Sequence, residues 1–265
     1  MENFKEYKIG SGKPKIAILG AVHGDEPMGV KVIQKLKSLK LKKGIIHFII
    51  ANPAALKRRK RFLVQDLNRS FPGKKNGRGE EKLAYSLFKH LKGFDVVLDI
   101  HATNSSIKEL AVVSKLTPKI KRFLKLVPVK KVAFVKRSVF GGRESISRLP
   151  FGVALEYGPN KSSRNYPKVV GHLKTILINL GFLEGEKRIF SRKEVYVVSG
   201  QYHTPDKFRQ NPGLREFKFI KKGNVVGRIK EKLVRSKISF YPLFLGKGRY
   251  EGVLALIAKR RKLKL

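Results

Sequence analysis

Apolar residues in this chain come in short unbroken runs, separated by segments whose apolar positions recur at helical spacing. "KIAILGA" (15–21), "GIIHFIIA" (44–51), "FDVVLDI" (94–100), "ELAVVS" (109–114), "KKVAFVK" (130–136) and "FGVALEY" (151–157) are of the first kind. Runs without polar alternation fit strands buried on both faces. "PMGVKVIQKLKSL" (27–39) carries the helical pattern, with Pro27 suited to a first turn. "GEEKLAYSLFKHLK" (79–92) opens with acids, as a helix start favours. "TPKIKRFLKL" (117–126) and "YPKVVGHLKTILINL" (166–180) read as further helices. The alternation predicts an α/β fold: a mostly parallel mixed sheet flanked by helices on both faces.

The texture changes after about residue 188. "EVYVVSGQY", "EFKFI", "NVVGRI", "ISFYPLFL" and "GVLALIAK" are short β-like runs between turn residues. They predict a small β-rich C-terminal domain over 189–265, following a larger domain over 1–188. Segment 52–78 is long for a structureless connection, and loops of that length are usually functional or mobile.

Composition narrows the chemistry. The 265 residues include no cysteine, so a metal here is held by His, Asp or Glu. No apolar run approaches the length of a membrane span. "MENFKEYKIG" lacks the basic and apolar regions of a signal peptide, so the expected compartment is the cytoplasm. The formal net charge is +41. Such a charge attracts polyanions. The lysines and arginines are spread over the whole chain, with no basic–aromatic signature, zinc-finger spacing or heptads. The expectation is weak nonspecific polyanion binding, with no specific nucleic-acid partner and no membrane partner.

"GAVHGDEPMG" (20–29) places His23 and Glu26 at the mouth of the first predicted strand, among glycines that permit tight backbone. His101 follows "VVLDI" at the end of another. In open parallel sheets, ligands sit beyond the carboxyl ends of strands. Two histidines and a glutamate form a three-ligand zinc set with a fourth position open. Glu156 ends "VALE", and an acid closing a buried run is costly unless paired or functional. Beside zinc it suits proton transfer. "DLNRSFPG" (66–73) offers Asn68 and Arg69, with Arg61 upstream in "KRRKR". An arginine fork matches a carboxylate.

Together "HGDE", "NPAAL…KRFLVQDLNRSFPG", "DIHAT" and "LEYGP", in this order, resemble the aspartoacylase and succinylglutamate desuccinylase family of the zinc carboxypeptidase-like superfamily. The similarity runs from about residue 15 to about 255. It implies one Zn2+ per chain on His23, Glu26 and His101, with Glu156 as the catalytic glutamate. It further implies Arg61 in catalysis, and Asn68 and Arg69 as the substrate-binding pair. "YPLFLGKGRYEG" resembles the stretch whose tyrosine closes over the substrate, which nominates Tyr250. One departure concerns specificity. Where aspartoacylases carry an arginine before "SI", this chain has Glu144, with Arg143 one position earlier. Arg143 is the nearest substrate-binding candidate there. The function implied is zinc-dependent hydrolysis of the amide bond of a small anionic N-acyl amino acid. Two alternatives stand beside it: a metallocarboxypeptidase acting on short peptides, and a polyanion-binding protein on a retired hydrolase fold. Oligomeric state, acyl group and amino acid are not read from the sequence.

Overall fold

A computed structural model describes residues 3–159, 165–246 and 252–262. The strands are β1 (Lys5–Ser11), β2 (Lys15–Gly20), β3 (Gly44–Ile50), β4 (Val96–Ala102), β5 (Glu109–Val113), β6 (Lys131–Val135), β7 (Gly152–Tyr157), β8 (Glu194–His203), β9 (Phe208–Gln210), β10 (Val225–Ile229), β11 (Lys232–Arg235), β12 (Tyr241–Leu243) and β13 (Val253–Arg261). The helices are α1 (Met28–Leu36), α2 (Pro53–Lys57), α3 (Glu80–Leu91), α4 (Pro118–Leu124), α5 (Ser145–Arg148) and α6 (Tyr166–Asn179).

Ten strands form one mixed sheet in the order β1-β3-β2-β4-β7-β5-β6-β8-β13-β12. The pairs β2–β3, β2–β4, β4–β7, β5–β6 and β6–β8 are parallel, and the others antiparallel. The unbroken apolar runs have the expected cause, because helices cover both faces. Ile16, Ile18, Leu98 and Ile100 pack with Val32, Ile33, Leu173 and Leu177 of α1 and α6. Ala17, Leu19, Ile49 and Val97 point the other way and pack with Leu83, Leu87 and Leu91 of α3. Alternate residues of one strand thus serve opposite cores. The parity also assigns Asp99, His101, Ala154 and Glu156 to the α3 face.

The sheet continues past residue 188: β8 pairs in parallel with β6, and β13 and β12 follow. Strands β9, β10 and β11 form a separate antiparallel sheet, as the C-terminal β texture predicted. "EFKFI" forms no strand; it joins only through an isolated bridge between Ile220 and Phe240. The N-terminal β1, with three lysine or glutamate side chains in seven residues, carries no clear apolar signal and is an antiparallel edge strand on β3. Among the described residues, no helix is long and apolar enough to cross a membrane.

Candidate metal centre and active-site cleft

The backbone turns sharply after β2. Ala21 adopts a left-handed φ of 54°. A Cβ on Gly24 would lie 2.1 Å from the carbonyl carbon of Ala55, so this turn can press against α2 only without a side chain there. The Glu26 amide donates to the His23 carbonyl at 3.1 Å, folding His23 and Glu26 onto one side. His101, near the end of β4, completes the group. The candidate donor atoms of His23, Glu26 and His101 lie within 4.8 Å of one another, and all three side chains are buried.

The Glu26 carboxylate bridges the two imidazoles. Its Oε1 is 2.8 Å from His23 Nδ1, and its Oε2 is 3.1 Å from His101 Nδ1. Oε2 also accepts from the Ala102 amide at 2.9 Å. Burial pushes the Glu26 pKa up, but the two histidines outweigh it and hold the carboxyl well below its usual range. Each ring has a second carboxylate behind it. His23 Nε2 lies 3.1 Å from Asp66 Oδ1, and His101 Nε2 lies 3.0 Å from Asp99 Oδ2. The His101–Asp99 contact is close enough for charge but misaligned for a hydrogen bond, so His101 Nε2 is a buried nitrogen without a bonded partner. Burial lowers the His101 pKa, while Asp99 and Glu26 raise it, with a net rise. Carboxylates behind metal-binding imidazoles fix ring orientation and raise basicity. Both rings present Nδ1 to the centre and Nε2 to an acid, which is the donor arrangement a cation needs.

Glu156 sits directly beside His101 in the parallel β4–β7 register, on the same face of the sheet. It is buried and lines a cleft with His23, Arg61, Asn68, Arg69 and His101. The cleft holds about 790 Å³ of space, part of it open to solvent. Phe140, Ile146 and the C-terminal residues Phe244, Val253 and Leu256 form apolar wall.

The long 52–78 segment is ordered by acids. Arg61 Nε and Nη2 donate to Asp66 Oδ2 at 3.2 and 3.0 Å, and Arg61 Nη1 reaches Glu26 Oε1 at 3.4 Å. Burial raises the Asp66 pKa, yet His23, Arg61 and Arg69 hold it well below the usual carboxylate range. Asp66 also caps the short 3-10 turn Leu67–Arg69 through the Asn68 amide. Asn68 Oδ1 accepts from the Ser145 amide at 3.0 Å, and the Arg69 guanidinium lies 3.9 Å over the Phe140 ring. Beneath the segment, Glu80 receives the amides of Leu63, Val64 and Gln65.

The structure therefore brings His23, Glu26, His101, Glu156, Arg61, Asn68 and Arg69 together. Arg143 is exposed and does not line the cleft, whereas its neighbour Glu144 does. Tyr250 lies outside the described residues. Sequence reasoning passed over Asp66, Asp99, Ser145 and Glu80. Asp99 had a usable signal, since an acid two residues before His101 on a strand shares its face. Ser145 Oγ donates to Asp99 Oδ2 at 2.8 Å, a contact 46 residues long with no local trace.

Residues 12–127 match the family described as succinylglutamate desuccinylase/aspartoacylase catalytic domain. This is the family the motifs resemble. No curated protein matches the chain by sequence. Among solved structures, murine aminoacylase 3 superposes with a TM-score of 0.77 at 21% identity, covering 95% of this chain and 97% of that one. A succinylglutamate desuccinylase from a Silicibacter species gives 0.73 at 19%, covering 97% and 88%. An aspartoacylase family protein from Mesorhizobium loti gives 0.72 at 17%, covering 97% and 89%. At these identities the likeness is one of fold: the large mixed sheet flanked by helices is shared.

Proposed function

We propose that this chain, which carries the catalytic-domain signature of the deacylases, is a zinc-dependent hydrolase of the amide bond in a small N-acyl amino acid. The observation that carries the reading is the placement of Glu156 in register beside His101, in one cleft with His23, Arg61, Asn68 and Arg69. His23, Glu26 and His101 would hold one Zn2+. The donor set fits: two nitrogens and a carboxylate, buried, already drawn together, with acids behind both rings. Zinc bound there supplies Lewis acidity toward the acyl carbonyl and lowers the pKa of a water.

The chain's own groups do the rest. Glu156 accepts the proton of the attacking water and returns it to the departing amine. Arg61, anchored on Asp66 through two of its nitrogens, donates to the carbonyl oxygen as negative charge develops there. Arg69, stacked on Phe140, and Asn68, held by Ser145, bind the carboxylate of the amino acid. Tyr250 and Arg143 are further substrate contacts in this reading; Arg143 would act from outside the cleft wall that Glu144 forms. We place the boundary of the catalytic unit near residue 188, with the C-terminal part lending Val253 and Leu256 to the cleft. The protein is taken as cytoplasmic, with only weak nonspecific polyanion binding.

The deacylase names of the structural neighbours support this reading. The test is a panel of N-acyl aspartates, glutamates and neutral amino acids, with amine release followed in the zinc-loaded and metal-stripped protein. Zinc-dependent release from at least one member is expected. Cleavage of short peptides alone would favour the carboxypeptidase alternative. No turnover of either kind, with tight nucleic-acid binding at high salt, would favour the polyanion binder.

A further inference from the structure

A second histidine–glutamate cluster lies away from the cleft. Glu6 of β1, His47 of β3 and His90 of α3 offer three donor atoms within 4.8 Å of one another. Glu6 Oε1 is 2.6 Å from His47 Nδ1 and 2.6 Å from His90 Nε2. This repeats the pattern of the first cluster, one carboxylate between two imidazoles, on wholly different elements. We infer that Glu6, His47 and His90 form a second transition-metal site, which takes Zn2+ and pins the edge strand to the sheet and to α3.

The geometry follows from register. Lys8 faces His47 across the β1–β3 pair and Glu6 faces Ile49, so Glu6, Lys8 and His47 share the face that α3 covers. His90 stands in the last turn of α3, whose partial negative charge favours a cation. Glu80 opens the same helix beneath the active-site segment. The ten-residue step from Glu80 to His90 is ~15 Å at the helical rise, so the second cluster sits at the end of α3 away from the segment that Glu80 holds. The imidazoles are held by aromatic rings. Phe94 lies edge-on to His47 at 4.8 Å and to His90 at 5.3 Å, and Phe4 lies 5.1 Å from His90. That collar fixes the ring planes and limits water.

The donor set, two imidazoles and one carboxylate without thiolate, suits zinc and its neighbours in the first transition row. His90 is 28% exposed, which leaves a path for the ion and room for a water. Lys8 Nζ lies 3.3 Å from Glu6 Oε2 and would oppose a cation, but its side chain is 55% exposed and can swing into solvent.

The test is stoichiometric titration of metal-stripped full-length protein with Zn2+ against a chromophoric chelator, with Co2+ absorption as a second readout. Wild type is expected to take up two equivalents. His90→Ala and Glu6→Gln should each take up one, and so should His23→Ala/His101→Ala. Thermal melting with and without Zn2+ checks that each variant folds. Equal uptake by wild type, His90→Ala and Glu6→Gln overturns the second site. The readout is separable from the catalytic proposal. If the first cluster held no zinc, wild type would bind one equivalent and His90→Ala none, which leaves the second site standing.

Discussion

Replacing Glu80 with glutamine should loosen the active-site segment without touching a metal donor. Glu80 is fully buried at the first position of α3. Its Oε1 accepts from the Leu63 amide at 2.7 Å and from Asn52 Nδ2 at 3.3 Å. Its Oε2 accepts from the Val64 and Gln65 amides at 3.0 and 3.2 Å. Glutamine keeps one acceptor oxygen and turns the other into a donor facing two donors, whichever way it is placed. Two bonds to a charged acceptor are lost, at ~1.5–3 kcal/mol each, or ~3–6 kcal/mol in all. Measured against a typical domain stability of ~5–15 kcal/mol, that loss is large. The direct assay is hydrogen exchange at the Leu63, Val64 and Gln65 amides. Their protection should fall by about two to four orders of magnitude, at one decade per ~1.4 kcal/mol. The KM should rise, because Arg61, Asn68 and Arg69 ride on this segment, while zinc affinity at His23, Glu26 and His101 should hold. The pH dependence has a definite sign. Burial raises the Glu80 pKa, but the three backbone donors and Asn52 outweigh it, with a net fall. Its stabilisation is therefore complete above the unfolded carboxyl pKa of ~4.3 and is lost as pH falls below that value through the lower folded pKa. Wild type should show that acid-side loss, and Glu80→Gln should lack its component. Unchanged protection at the three amides would refute the reasoning.

The other expectations concern the cleft. Glu156→Gln should retain zinc and lose about two to four orders of magnitude in kcat, the weight of a general base; metal analysis beside steady-state kinetics checks both. His101→Ala should lose the zinc of the first cluster, seen as a drop of one equivalent in the metal titration. Arg69→Ala should raise KM for an N-acyl amino acid more than it lowers kcat, since a carboxylate loses its forked partner. Duplex DNA binding should weaken steeply between low and physiological salt and be the same in wild type and Arg69→Ala, as follows from charge spread over the surface.

Several of these residues were legible in the sequence because their signals are local. His23 and Glu26 stand three apart between glycines, and His101 and Glu156 close apolar runs. Asn68 and Arg69 sit in a stretch bounded by turn residues. Arg143 shows the limit of such reading. It was nominated as the arginine nearest the family's position, yet the backbone turns its neighbour Glu144 into the cleft and leaves Arg143 exposed. Strand β1 was missed because an edge strand facing water on part of its surface has no apolar run to display.

The sequence by itself determined the alternation of strands and helices and the two-sided burial of the sheet. It also placed the donors at strand ends, since hydrophobic period and turn residues act over a few positions. The tertiary structure decided which acids stand behind which histidines. Asp66 reaches His23 across 43 residues, Ser145 reaches Asp99 across 46, and Glu6 reaches His90 across 84. Those pairings depend on strand order and register, which arise only when distant runs compete for the same core. A lone aspartate in "VVLDI" reads as an interruption of a strand until the fold brings the Ser145 hydroxyl of α5 against it.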